Sequence, residues 1–205
     1  GYLVPPPGFI PELKALLERY GILLVADEVQ SGAGRTGLFF ALEHEGVKAD
    51  VYVLAKGLAS GYPLSALLFR EELASWRPGA HGTTFGGQAV AAAAAHATLD
   101  LLEAGLMENA RQVGAYLLRE LKAMQGRFPF LGDVRGRGLM IGLDFGTRTE
   151  ERPDLRDKAV ELAFQKGLLL LPAGPSALRI APPLILTEPE AAVGLEILEE
   201  VFQAL

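Results

Sequence analysis

The chain has 205 residues, 50% of them hydrophobic and 21% charged, which bounds it to one large globular domain or two small ones. Its net charge of -6, with no basic tract, argues against a nucleic-acid surface, and the absence of cysteine excludes disulfides and thiolate metal sites. His44, His81 and His96 are far apart and lack the spacing of common zinc motifs. No signal peptide heads the sequence and no uncharged run is long enough to span a bilayer, so a soluble, cytoplasmic protein is expected. The opening Gly1-Tyr2-Leu3-Val4-Pro5-Pro6-Pro7-Gly8 has no Met and reads like a loop inside a larger protein.

In chain order, Leu13, Leu16 and Leu17 predict an amphipathic helix over residues 11–20, with Gly21 at its C-terminus. Residues 22–26 form a continuous apolar run, expected to be a strand buried on both faces of a parallel sheet. Gly32, Gly34 and Gly37 predict a flexible loop around Arg35, followed by a short helix at 39–45. Residues 51–55 and 64–69 read as two further strands, the second after a Gly61-Tyr62-Pro63 turn. Alternating helices and strands indicate a parallel α/β domain. Residues 79–87 are a polar loop. Residues 89–102 are an Ala-dominated helix, against which a backbone packs closely. A break at Gly105 leads to a long helix from about Leu106 to Gln125, with apolar positions 106, 113, 117, 121 and 124.

After Gly126 the pattern becomes α+β. Residues 134–138 read as a turn leading into a strand at 139–145. A helix at 155–166 and short strands at 168–171 and 178–180 follow. Thr187, with Glu190 three residues on, caps a final helix over 188–202. The organisation expected is residues 1–105 as part of a large α/β domain, 106–126 as a connecting helix, and 127–205 as a small C-terminal α+β domain.

Two apolar runs end in chemistry-bearing residues. One delivers Asp27, the other Lys56 followed by Gly57. Alone, Lys56 reads as a solvated strand-end lysine and Asp27 as a cap. Together they suit an aldehyde cofactor such as pyridoxal phosphate. A lysine desolvated at a buried strand end is a nucleophile toward the aldehyde, and a carboxylate keeps the ring nitrogen protonated. Gln30 stands near enough to bond the ring hydroxyl, and Val29 to press on the ring face. Gly82-Thr83-Thr84-Phe85-Gly86-Gly87 precedes the Ala-rich helix and suits either a phosphate or a plain turn. Arg179, flanked by apolar residues, suits a planar anion such as a substrate carboxylate, or a structural acid. Arg35 reads as a loop organiser. Arg135 and Arg137, among glycines, read as structural. His81 borders the phosphate loop, and His96 reads as a packed or surface residue.

Four stretches carry a resemblance. They are Leu24-Val25-Ala26-Asp27-Glu28-Val29-Gln30-Ser31-Gly32 with Ala33-Gly34-Arg35-Thr36-Gly37, and Leu54-Ala55-Lys56-Gly57 with Gly61-Tyr62-Pro63-Leu64. They continue with His81-Gly82-Thr83-Thr84-Phe85-Gly86-Gly87 and Leu178-Arg179-Ile180-Ala181-Pro182-Pro183-Leu184. In this order they resemble the C-terminal half of class III pyridoxal-phosphate-dependent aminotransferases of the 4-aminobutyrate, ornithine and acetylornithine kind. The resemblance implies fold type I, here part of the large parallel or mixed-sheet domain plus the small C-terminal domain. It implies a homodimer with shared active sites, an amino acid or amine donor and a 2-oxo acid acceptor.

By the same resemblance Lys56 is similar to the Schiff-base lysine, Asp27 to the partner of the ring nitrogen, and Gln30 to the residue bonding the ring oxygen. Val29 is similar to the packing residue behind the ring, Thr84 to the threonine reaching the neighbouring subunit's cofactor phosphate, and Arg179 to the α-carboxylate grip. Racemisation and decarboxylating transamination on the same scaffold remain alternatives, as does a truncated, non-catalytic module. Two departures stand out. Gln88-Ala89 replaces the family's usual Asn-Pro, and family members are about twice as long. Their N-terminal half holds a same-subunit phosphate loop and a residue stacking on the ring.

Overall fold

The computed structural model describes residues 1–147 and 150–205. They divide into two compact units: Pro5–Met107, and Glu108–Leu205 together with Gly1–Val4.

The first unit runs α1 (Phe9–Arg19), β1 (Val25–Asp27), β2 (Val51–Leu54), β3 (Ala66–Phe69) and α2 (Ala89–Leu101), with 3-10 turns at Ala41–Glu45 and Lys56–Ala59. The strands form one sheet in the order β1-β2-β3. β1 and β2 are parallel, as the alternation predicts, with Asp27 opposite Val53. β3 departs from it and runs antiparallel to β2. Only residues 55–65 link the two strands, too few for the helical crossover that a parallel return requires.

The expected burial on both faces is not met within this unit. Val25 is 55% and Leu67 54% exposed, and α1 has no buried residue, so it does not seal the sheet. The unit's core is small: Leu54, Leu58, Ala59 and Ala95, with Phe39, Phe40 and Leu64 against it. The Gly32–Gly37 loop, expected to be flexible, is largely buried. A side-chain carbon on Gly32 would lie 2.7 Å from a Leu54 methyl and 2.8 Å from the Glu28 carbonyl. Glycine is there for close approach.

α2 begins directly after Gln88, so the Gln88-Ala89 departure gives an unbroken helix start. The helical run Ala89–Gln125 is long and apolar enough to cross a membrane, by length and composition only. Gly105, at φ 149, interrupts its helical backbone. Beyond that break, α3 (Met107–Gln125) buries Val113, Leu117, Leu121 and Met124 in the core of the second unit.

The second unit continues with β4 (Leu131–Arg137), β5 (Met140–Phe145), α4 (Pro153–Gln165), β6 (Leu171–Ala173), β7 (Ala177–Ile180) and α5 (Glu188–Gln203). Its sheet has the order β4-β5-β7-β6, with every pairing antiparallel. Ile141, Leu143 and Leu178 from the strands meet Ala159, Ala163, Leu195 and Leu198 from α4 and α5, all under 7% exposed. Phe202 stands edge-on to Phe128, Phe130 and Phe145, with centroids 5.5 to 5.9 Å apart.

Residues 134–138, expected as a turn, lie largely within strand β4. Its glycines weaken the strand signal, and the pairing with β5 supplies what propensity does not. The strand expected at 168–171 sits later, at β6. Pro172 is tolerated there because β6 is an edge strand. α5 starts where the capping pattern predicts, with the Glu190 carboxylate accepting from the Thr187 N–H at 2.8 Å and its hydroxyl at 2.7 Å.

Candidate active site

Asp50 sets the alignment of β1 and β2. Its buried carboxylate accepts from Leu24 N–H at 2.7 Å and Lys14 Nζ at 2.9 Å, and pairs with Arg70 at 3.1 Å. The Lys14 bond, then the Leu24 N–H, hold Asp50 below the ordinary carboxylate pKa, and Asp50 in turn raises that of Lys14. With the strands parallel and Asp27 level with Val53, Asp27 and Lys56 emerge at the same C-terminal sheet edge.

Lys56 opens the 3-10 turn Lys56–Ala59 with φ 47, a left-handed conformation that side-chain-bearing residues seldom adopt. Such strain costs about 1–3 kcal/mol and is concentrated at functional sites. The turn is fixed from behind. Leu58 N–H bonds Ala55 O at 3.1 Å, and Leu58 and Ala59 pack with Ala95 of α2. Ser60 Oγ meets Thr98 Oγ1 at 2.9 Å. This is the close backbone approach that the alanines of α2 imply.

Asp27 Oδ1 accepts from Val29 N–H at 3.1 Å, the local cap anticipated from sequence. Oδ2 has no partner among the described residues. Lys56 Nζ likewise makes no hydrogen bond or ion pair among them. Both residues are exposed, so the desolvation expected at a buried strand end is not supplied by this chain. Thr84 and its loop are exposed too, and lead into the first turn of α2.

Glu28 is the site residue that sequence reasoning missed. It is 4% exposed. Oε1 accepts from Leu42 N–H at 2.9 Å and Oε2 from Ser31 Oγ at 2.5 Å, which ties both ends of the segment after β1 together. Val29 and Gln30 start that segment. His44 Nε2, 3.1 Å from both Thr36 O and Thr36 Oγ1, holds its middle. The signal available was an acid directly after Asp27 in a stretch that otherwise reads as loop.

Arg179 belongs to the second unit, half-buried on β7, with no ion pair or hydrogen bond from its side chain among the described residues. Asn109 Nδ2 bonds the carbonyls of Leu184 and Leu186 at 2.6 and 2.9 Å and fixes the segment that follows. Arg135 is structural, as expected, bonding Asp144 at 2.5 Å and Asp133 at 2.7 Å. Burial works against its charge, yet the two carboxylates hold its pKa above the ordinary arginine value. His81 stands edge-on to Trp76 at 4.9 Å, and His96 is exposed on α2.

Residues 1–202 match the family model described as aminotransferase class-III. The chain belongs to the class-III aminotransferase family. Among curated relatives of this class-III chain, an alanine/serine racemase of Pyrococcus horikoshii is 44% identical over 99% of the chain and 44% of the relative. An acetylornithine aminotransferase of Streptococcus mutans is 40% identical over 99% of the chain and 52% of the relative. An amine transaminase from an uncultivated Pseudomonas species, solved in its PLP-bound form, superposes with a TM-score of 0.92 at 38% identity. That likeness covers 100% of this chain and 49% of the transaminase. The class-III chain therefore spans about half the length of the relatives it matches, and its mixed α/β sheets are those of fold type I.

Proposed function

We propose that the chain is the lysine-bearing half of a pyridoxal-phosphate-dependent aminotransferase. It moves an amino group from an amino acid or terminal amine to a 2-oxo acid. The observation that carries this reading is the emergence of Asp27 and strained Lys56 at one edge of adjacent parallel strands. The donor set fits the cofactor: an amine for the aldehyde, a carboxylate oxygen for the ring nitrogen, an amide for the ring oxygen and a valine for the ring face. Pyridoxal phosphate, when bound, supplies the electron sink.

In this reading Lys56 holds the cofactor and moves the proton at the substrate α-carbon. Asp27 keeps the ring nitrogen protonated, Gln30 bonds the ring oxygen, and Val29 backs the ring. Thr84 reaches the phosphate of the neighbouring subunit in a homodimer, and Arg179 grips the carboxylate. The exposed apolar sheet residues supply surface for such association. The location proposed is cytoplasmic.

The test is transfer of nitrogen label from an amino acid to 2-oxoglutarate, with pyridoxal phosphate present, by wild type and Lys56→Ala. Label in glutamate from wild type alone supports the reading, and equal transfer by both overturns it. The likeness to the Pyrococcus horikoshii racemase favours one second reading, racemisation. Inversion of alanine or serine without a 2-oxo acid would establish that instead. Neither product from wild type would identify a non-catalytic module.

A further inference from the structure

We propose that Tyr2, held in place by Arg135, determines which carboxylates Arg179 accepts; this rests on the reading of Arg179 as a carboxylate grip. Arg135 pairs with Gly142 across β4 and β5, and Gly142 with Arg179 across β5 and β7. The three therefore form one cross-strand row, with neighbouring Cα atoms about 5 Å apart. The row lies on the face opposite Ile141, Leu143 and Leu178, which are buried in the core. Gly142 leaves a gap between the arginines, and Tyr2 fills it. A side-chain carbon on Gly142 would lie 3.1 Å from Tyr2 Cβ and 3.6 Å from Gly1 O.

The two arginines are engaged differently. Arg135 donates from Nε to Tyr2 O at 2.8 Å and from Nη2 to Gly1 O at 2.7 Å, while Nη1 meets both aspartates. The Arg179 guanidinium has no protein partner among the described residues. Tyr2 has φ 56, a backbone region that favours glycine. The bonds to the carbonyls on either side of its Cα hold it there. A bulky residue kept in a strained conformation beside an available guanidinium marks a position where its place matters. A carboxylate reaching Arg179 then brings its carbon chain past an aromatic wall. That wall favours slim chains over those branched next to the oxo carbon.

The experiment titrates 2-oxobutyrate and 2-oxoisovalerate into the protein, read by NMR of the arginine side-chain N–H signals. Wild type is expected to prefer 2-oxobutyrate by about tenfold, the usual effect of one excess methyl in a fitted pocket. Tyr2→Gly brings the ratio toward one, and Tyr2→Phe keeps it. Arg135→Gln, which frees the segment, behaves like Tyr2→Gly, and Arg135→Lys restores part of the preference. Tyr2→Ala replaces Tyr2→Gly if the latter does not fold. An unchanged ratio in the folded Tyr2 variant overturns the proposal. Arg179→Gln tests the reading beneath it: both ligands should weaken alike, and undiminished binding would remove Arg179 as the grip whatever Tyr2 does.

Discussion

Glu28→Ala offers a direct test of how the candidate site is held. Glu28 is 4% exposed, and its carboxylate accepts two hydrogen bonds, from Leu42 N–H at 2.9 Å and Ser31 Oγ at 2.5 Å. Hydrogen bonds to a charged group contribute about 1.5–3 kcal/mol each. Removing the acceptor strands two donors, although rearrangement of the segment lets water reach part of them. The expected loss is about 3 kcal/mol, roughly a hundredfold in the folding equilibrium. Ser31→Ala, which removes one bond, should cost about 1.5 kcal/mol. The assay is urea unfolding followed by Trp76, the single tryptophan of the chain, which lies in the same unit as Glu28. The segment released carries Val29 and Gln30, so weaker cofactor binding should accompany the loss. A change for Glu28→Ala within about 0.5 kcal/mol of wild type, the range of ordinary surface substitutions, would refute the reasoning.

Gly114→Ala sets two effects against each other. Helix propensity alone favours it by about 1 kcal/mol. The added carbon would lie 2.2 Å from Gly138 O, so a net loss of about 2 kcal/mol is expected in chemical denaturation, and a gain would contradict the close approach of α3 to the hairpin. Asp50 gives a pH dependence. Its folded pKa is depressed below 3.8, so its contribution is fully present above 3.8 and lost as pH falls through the folded value. Lys14 is raised above 10.5, so its contribution holds below 10.5 and is lost as pH rises through its folded value. Asp50→Asn should flatten the acid limb of a Tm–pH profile, and an unaltered limb would refute this. Thr187→Ala should cost about 1 kcal/mol at the start of α5, measured by urea denaturation, with no change in cofactor binding.

The local parts of this fold were legible and the long-range ones were not. The α5 cap and the break at Gly105 rest on nearby residues, and both appear where the sequence places them. Residues 134–138 read as a turn because Gly136 and Gly138 dominate the local signal, whereas 134–137 are held as strand by pairing with β5. The leucines at 168–171 read as a strand, but Leu168 and Leu170 pack on the core from outside β6. At the site, Asp27 and Lys56 announced themselves by ending apolar runs. Glu28 and Asp50 did not, because their partners Leu42, Lys14 and Arg70 are remote in sequence. Lys56 is exposed, as a solvated strand-end lysine would be, whereas the desolvation that the cofactor reading assumes is not legible, since a continuous apolar strand does not say what covers its end.

The identity of the lysine that reacts with the cofactor decides most about this chain. The protein is mixed with pyridoxal phosphate, trapped with borohydride, digested and analysed by mass spectrometry. The reduced adduct is expected on Lys56, with none formed by Lys56→Ala and a weaker yield from Asp27→Asn. Stoichiometric labelling of Lys14, Lys48 or another lysine, persisting unchanged in Lys56→Ala, would contradict the assignment.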